Sequence, residues 1–190
     1  MKQDIILAGV GGQGILTIAA IIGQAALDMG LNMKQAEVHG MSQRGGDVQS
    51  HLRISDQAIY SDLIAEGDCD MILSVEPMEA LRYTPYLADK GWMISNSTPF
   101  NNIPNYPELE AVESTIKAMP NNILLDADKI AKEIGNARGM NIVMLGAATK
   151  YLNIPYESFE AALEKIFGRK GDKVVELNIK ALAAGRKIAD

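Results

Sequence analysis

The segment Asp4 to Ala8, followed at once by Gly9-Val10-Gly11-Gly12-Gln13-Gly14, constrains this chain more than any other. The first five residues are a short, largely apolar run ended by glycine, the pattern of a buried strand. Beyond the turn, Ile15, Ile18, Ala19, Ile22, Ala26 and Met29 recur at helical spacing until Gly30 stops the helix. Met33 to Val38 reads as a second strand. A strand–turn–helix–strand unit of this kind predicts a parallel sheet with a right-handed crossover.

Gly9, Gly11 and Gly14 satisfy G-x-G-x-x-G in that context. One glycine permits the tight turn, one lets backbone N–H groups approach a phosphate, and one lets helix and strand pack closely. The helix N-terminus then offers free N–H donors and a favourable dipole to an anion. Gly12 and Gln13 complete the turn. Glu37 follows Gly14 by 23 residues, roughly where a nicotinamide-binding domain keeps its ribose acid. The turn alone fits either a bound dinucleotide or tight strand–helix packing with no ligand.

The stretch Glu37-Val38-His39-Gly40-Met41-Ser42-Gln43-Arg44-Gly45-Gly46 is more specific. It places a histidine, an arginine and flexible backbone at the carboxyl end of a strand, beside the glycine turn, where ligands sit in open α/β sheets. Arg44 is a natural fork for phosphate or carboxylate, and equally a residue for an ion pair at a surface or subunit contact. His39 can exchange a proton near neutral pH, or serve as a hydrogen-bonded structural group. His39 and Arg44 are the catalytic candidates. Gly9, Gly11, Gly12, Gln13, Gly14, Glu37, Gly45 and Gly46 are the cofactor-binding candidates. His51 lies inside a strand-like run and reads as structural. Glu76 and Glu79 read as acids complementing a helix N-terminus.

Further along, Val48 to Ile54 alternates, and Ala58 to Tyr60 is expected to pair with it across Ser55-Asp56-Gln57 as a hairpin. Met71 to Val75, Trp92 to Asn96 and Ile123 to Leu125 read as strands. Helices are expected after Glu76-Pro77, over Ser114 to Met119, after a cap at Asp126 or Asp128, and over about 140–151, 156–167 and 173–188. Thr98 to Pro107 reads as a loop. The expected fold is α/β: a three-layer α/β/α, Rossmann-like domain over residues 1–190, with a mostly parallel sheet, a hairpin insertion and a helical C-terminus.

Composition narrows the function classes. The net charge of −6 argues against nucleic acid as the main partner, because neutralising phosphates needs a basic face. Residues 61–100 carry seven acids and two bases, a net of −5, while residues 164–190 carry seven bases and four acids. Cys69 is the one cysteine, so four thiolates of this chain cannot hold an iron–sulfur cluster, and with two histidines besides it no zinc site is expected. No apolar run spans a membrane, and the opening residues carry no cleavage signature, so a cytoplasmic location is expected.

Taken together, the two loops resemble the small, gamma-type subunits of the 2-oxoacid:ferredoxin oxidoreductases, and their indolepyruvate branch in particular. The glycine turn and the loop ending in Arg44-Gly45-Gly46 carry the resemblance. So do Ser61-Asp62-Leu63-Ile64 onward through Glu76-Pro77-Met78-Glu79-Ala80-Leu81-Arg82, and Asn141-Ile142-Val143-Met144-Leu145-Gly146. It covers nearly the whole chain. The resemblance implies a role in CoA-dependent oxidative decarboxylation of a 2-oxoacid, indolepyruvate or another aryl pyruvate, with ferredoxin as electron acceptor. It implies that thiamine diphosphate, Mg and iron–sulfur clusters belong to a large partner subunit, and that this chain, inactive alone, is an accessory subunit that could form a homodimer when isolated. Two other readings stand beside it: a free-standing NAD(P)-binding enzyme, suggested by the glycine turn and Glu37, and a non-catalytic interaction protein on a Rossmann-like scaffold.

Overall fold

In the computed structural model, which describes residues 1–39, 45–101 and 103–189, β1 (Lys2–Val10) is the middle of the fold. Every residue from Gln3 to Val10 is buried, as expected of a strand covered on both faces. Its side chains alternate between two cores. Ile5 and Leu7 point into a large core, and Ile6 and Ala8 into a smaller one.

The sheet has six strands in the order β2-β3-β1-β4-β5-β6, with β2 Asn32–His39, β3 Asp47–Ser55, β4 Cys69–Ser74, β5 Leu87–Asn96 and β6 Asn122–Leu125. β4, β5 and β6 add to β1 in parallel. β3 pairs antiparallel with both β1 and β2, so five of the six strands run one way. α1 (Ile15–Asp28), α4 (Ala127–Glu133), α5 (Met140–Ala148), α6 (Tyr156–Phe167) and α7 (Asp172–Ala189) cover one face. α2 (Pro77–Arg82), a 3-10 turn at Thr84–Tyr86 and α3 (Leu109–Lys117) cover the other. The expected three-layer arrangement with a mostly parallel sheet and a helical C-terminus is what forms.

One expectation about neighbours fails, and the strand–helix–strand unit forms with another strand between its two parallel strands. β2 runs in the same direction as β1, but β3 lies between them, so the first two strands are not adjacent. The hairpin is β2–β3, with His39 opposite Val48, and not 48–54 with 58–60. The reason is hydrogen-bond capacity: β3 uses one edge on β1 and the other on β2, leaving no ladder for Ala58 to Tyr60, which stay irregular. The helix after Pro77 is also shorter than expected, ending at Arg82 before the 3-10 turn, and α3 starts earlier, at Leu109.

The C-terminal helices close the large core through backbone contact. At Gly146 of α5 a methyl group would collide with the carbonyl of Leu182, and at Gly185 of α7 with the carbonyl of Val143. Each glycine lets the partner helix approach closer than any side chain permits. Gly146→Ala or Gly185→Ala therefore forces the helices apart. Each is expected to lower stability by about 3 kcal/mol, the upper part of the overpacking range, read as a lower urea midpoint at unchanged m-value.

Candidate functional site

The carboxyl edge of β1 is shaped by its glycines. A side chain at Gly9 would strike Val75 at the end of β4, so the turn lies directly on the neighbouring strand. Gly12 and Gly14 have φ of +101° and +86°, in the left-handed region. At Gly14 an added methyl would also meet the Asn141 side-chain amide at 2.5 Å. Asn141 Nδ2 instead donates to the Gly14 carbonyl at 3.2 Å, tying the first turn of α5 to the turn. Gln13 is spent within the turn: its Oε1 accepts the Val10 N–H at 2.7 Å and its Nε2 donates to the Val75 carbonyl at 3.5 Å.

The second loop meets the first as expected. The Gly11 N–H donates to the Gly46 carbonyl at 2.8 Å, and the Gly45 N–H returns to the Gly11 carbonyl at 3.4 Å. Arg44, together with Gly40, Met41, Ser42 and Gln43, lies outside the described residues. Gly14 caps α1 without any side-chain hydrogen bond, and the first turn of α1 holds no acid. The positive end of that helix is therefore uncompensated by its own residues.

A pocket of about 380 Å³ opens here, between the glycine turn, the first turn of α1 and the ends of β2 and β3. Gly11, Gly12, Gly14, Ile15 and Leu16 form one side, and Glu37, His39 and Val48 the other. The structure thus brings Glu37 and His39 to the turn even though β3 intervenes. The His39 Nδ1 donates to Glu37 Oε1 at 2.8 Å, which leaves Nε2 as the outward nitrogen of a side chain 54% exposed. Glu37 Oε2 is buried with no hydrogen-bond partner among the described residues. Because β2 is displaced by one strand, Glu37 is about 10 Å rather than about 5 Å from the β1 axis, at strand spacings of 4.7–4.9 Å. That is a changed geometry for a ribose acid.

A second basin, about 470 Å³, lies on the other side of the same turn. Gly12, Gln13 and Thr17 face Asn136, Arg138 and Asn141 across it, with Lys170 and Asn178 completing the wall. The first turns of α1, α5 and α7 all contribute, and Arg138 and Lys170 supply its cations. Sequence reasoning missed Asn136, Arg138, Lys170 and Asn178 because they come from three separate C-terminal segments with no shared motif.

The remaining candidates are structural. The imidazole of His51 is 4% exposed, its Nδ1 accepts the Ile64 N–H at 3.0 Å, and Tyr86 sits edge-on at 5.5 Å. Glu76 caps α2 through the Glu79 N–H at 2.8 Å, while its other oxygen accepts from Tyr106 Oη at 2.6 Å and the Phe100 N–H at 3.1 Å. Glu79 pairs with Arg82 at 2.8 Å. Asp126 caps α4 through the Lys129 N–H, and Asp128 accepts from Asn96 Nδ2, both at 2.8 Å. Cys69 is buried, with its Sγ 3.0 Å from the Met71 carbonyl, and burial pushes its thiol up to about 12. That is the setting of an inert cysteine. Among the described residues no group of three His, Cys, Asp or Glu side chains could hold a metal, and no helix is long and apolar enough to cross a membrane.

With this edge in place, the family model for pyruvate ferredoxin/flavodoxin oxidoreductase matches residues 4–188. The chain belongs to that family. Full-length relatives include the indolepyruvate oxidoreductase subunit IorB of Pyrococcus horikoshii, 40% identical over 100% of this chain and 97% of the relative. The same-named subunit of Archaeoglobus fulgidus is 39% identical over 97% of this chain and 94% of its own. The fold is that of the gamma subunit of keto/oxoacid ferredoxin oxidoreductase from Geobacter sulfurreducens, with a TM-score of 0.71 at 24% identity and 98% of both chains covered. A 2-oxoglutarate:ferredoxin oxidoreductase from Magnetococcus marinus gives a TM-score of 0.78 at 21% identity; this chain covers 31% of that longer one. Within the family, the chain is the small subunit of a 2-oxoacid:ferredoxin oxidoreductase.

Burial, with a smaller contribution from the Arg53 cation, lowers the pKa of His51. The folded chain therefore binds this proton less readily than the unfolded chain, and stability falls as pH drops below the unfolded value of about 6.5. Urea midpoints measured at about pH 7.5 and about pH 5.5 are expected to drop in the wild type, and to drop less in His51→Asn.

Proposed function

We propose that this chain is the accessory subunit of an indolepyruvate-type, aryl-pyruvate oxidoreductase in the cytoplasm, and that its whole length acts as one gamma-type domain. The relatives named IorB, matched end to end at 33–40% identity, support the substrate class. Thiamine diphosphate with Mg, and the iron–sulfur clusters that pass electrons to ferredoxin, belong to the large partner subunit. Two features of this chain favour that division: its only thiol is buried and protonated, and its sequence holds no magnesium–diphosphate constellation. On the partner, thiamine diphosphate would supply the stabilised carbanion that decarboxylation needs.

This chain's own contribution is the carboxyl edge of β1. The observation that carries the reading is the convergence of Gly11, Gly12, Gly14, Glu37 and His39 on one pocket at an uncapped helix N-terminus, with Gly45 and Gly46 hydrogen-bonded to Gly11 beside it. We assign that edge to a wall of the shared site, where the turn and Arg44 receive a phosphate-bearing group of coenzyme A. The helix N-terminus attracts the phosphate, Arg44 forks onto it, and the Glu37–His39 pair orients hydroxyl or amide groups beside it. A free-standing NAD(P) enzyme is the weaker alternative, because β3 moves Glu37 one strand further from the turn.

The isolated chain is expected to be colourless and without turnover. In the reconstituted complex, Arg44→Ala is expected to raise KM for coenzyme A about 10- to 100-fold, the loss of a charged hydrogen bond of about 1.5–3 kcal/mol, with assembly intact. Unchanged turnover, coenzyme A dependence and assembly would sink the assignment. NADH binding to the pure chain, followed by fluorescence, would restore the alternative.

A further inference from the structure

Residues 56–68 link β3 to β4 without forming a helix or strand, yet buried side chains hold them in place. The Arg53 guanidinium forks onto Asp4, with Nε–Oδ1 at 2.8 Å and Nη2–Oδ2 at 2.9 Å. Its remaining nitrogen donates to the carbonyls of Ser61 at 3.1 Å and Leu63 at 2.9 Å. Ile64 is driven into the smaller core, and its N–H is taken by His51. Lys34, from edge strand β2, donates to the Tyr60 carbonyl at 3.3 Å. A desolvated ion pair adds little stability over apolar packing. What this one secures is a shape.

The shape it secures keeps apolar side chains in water. Tyr60 is 93% exposed and Leu63 56%. Val38 is 59% exposed and lies on the face of β2 that also carries Lys34. A cavity of about 310 Å³ opens beside Tyr60, with Lys2, Asp4 and Arg53 in its wall. Loop order that is established before association lowers the entropy cost of binding, and tyrosine is a preferred anchor in such interfaces.

Charge selects the occupant. Residues 56–70 contain Asp56, Asp62, Glu66, Asp68 and Asp70 and no lysine or arginine. A second copy docked here about a two-fold axis would set this acidic segment against itself. A partner carrying lysines and arginines around an apolar patch meets both the charge and the side chains.

We propose that the face formed by Val38, Tyr60 and Leu63 is where this chain docks its large subunit, against an apolar patch rimmed by Lys and Arg. It lies on the opposite face of the sheet from the glycine-turn pocket: Tyr60 and Leu63 sit by Asp4 and Arg53, towards the start of β1, and Val38, opposite Gln49, extends the face along β2 towards the turn end. The proposal rests on the chain's place as the small subunit of its enzyme beside a larger one, and on no ligand at the glycine turn.

Binding of the purified full-length chain to the purified large subunit tests it, with thermal melts of each free variant as the folding control. Tyr60→Ala/Leu63→Ala is expected to melt with the wild type and to raise Kd about tenfold or more, the scale of a hot-spot loss. Asp62→Lys/Glu66→Lys is expected to slow association about tenfold at low salt, and much less once salt screens the rim. Wild-type affinity and rates in both variants would overturn the proposal. A wild-type chain that does not bind the large subunit would overturn the subunit reading, and the docking face with it. A homodimer of the isolated chain that is lost in Tyr60→Ala/Leu63→Ala would give the face to a second copy and also overturn it.

Discussion

The pairing of β1 with β3 is the constraint on which the rest of the molecule depends. It runs from Lys2 opposite Ser55 to Val10 opposite Asp47, so the two strands are zipped over the full length of each. This fixes where the second loop begins, because Asp47 sits beside Val10, and Gly45 and Gly46 then have no choice but to lie over Gly11. On its other edge β1 pairs with β4, which puts Val75 under Gly9. The glycine turn is therefore clamped from both sides by strands it did not build. Local propensity makes the turn possible; long-range pairing gives it its position.

A second layer of order comes from polar groups buried where the sheet meets its loops. Asn96 uses its amide on the Val75 carbonyl, the Asp128 carboxylate and the Ala127 N–H, so one side chain joins the ends of β4, β5 and the start of α4. Glu76 does the same for the irregular stretch through Phe100 and Tyr106, and Arg53 for the stretch through Ser61 and Leu63. Each of these groups satisfies backbone that has no ladder to join. Irregular segments can then hold one conformation without being buried.

The parts of this fold legible in the sequence are those fixed by neighbours along the chain. The buried run of β1, the helical spacing of α1, the Asp126 cap and the dipole role of Glu76 and Glu79 all follow from local pattern. The neighbours across the sheet do not. Alternation in Val48 to Ile54 announces a strand, but a period of two says nothing about which strand lies on either edge, so the insertion of β3 was not readable. The same holds for the candidate site. The proximity of the two glycine loops follows from both being at carboxyl ends of strands, whereas Asn141, Arg138 and Lys170 reach the turn only through the packing of α5, α6 and α7. Gln13 illustrates the converse: its position suggested a ligand contact, and its amide is consumed by Val10 and Val75.

The sheet's outer margin has a consequence for how such a subunit must be handled in a cell. β2 is an edge strand eight residues long, and among the described residues nothing pairs with its far side. An open edge of that length is a template for adding further strands, and Lys34 is the only lysine or arginine along it to discourage them. A surplus copy is thus exposed to strand-by-strand self-recruitment, while one covered by another subunit is not. Keeping that edge from pairing with another copy becomes a requirement of the backbone geometry itself, independent of any chemistry at the glycine turn.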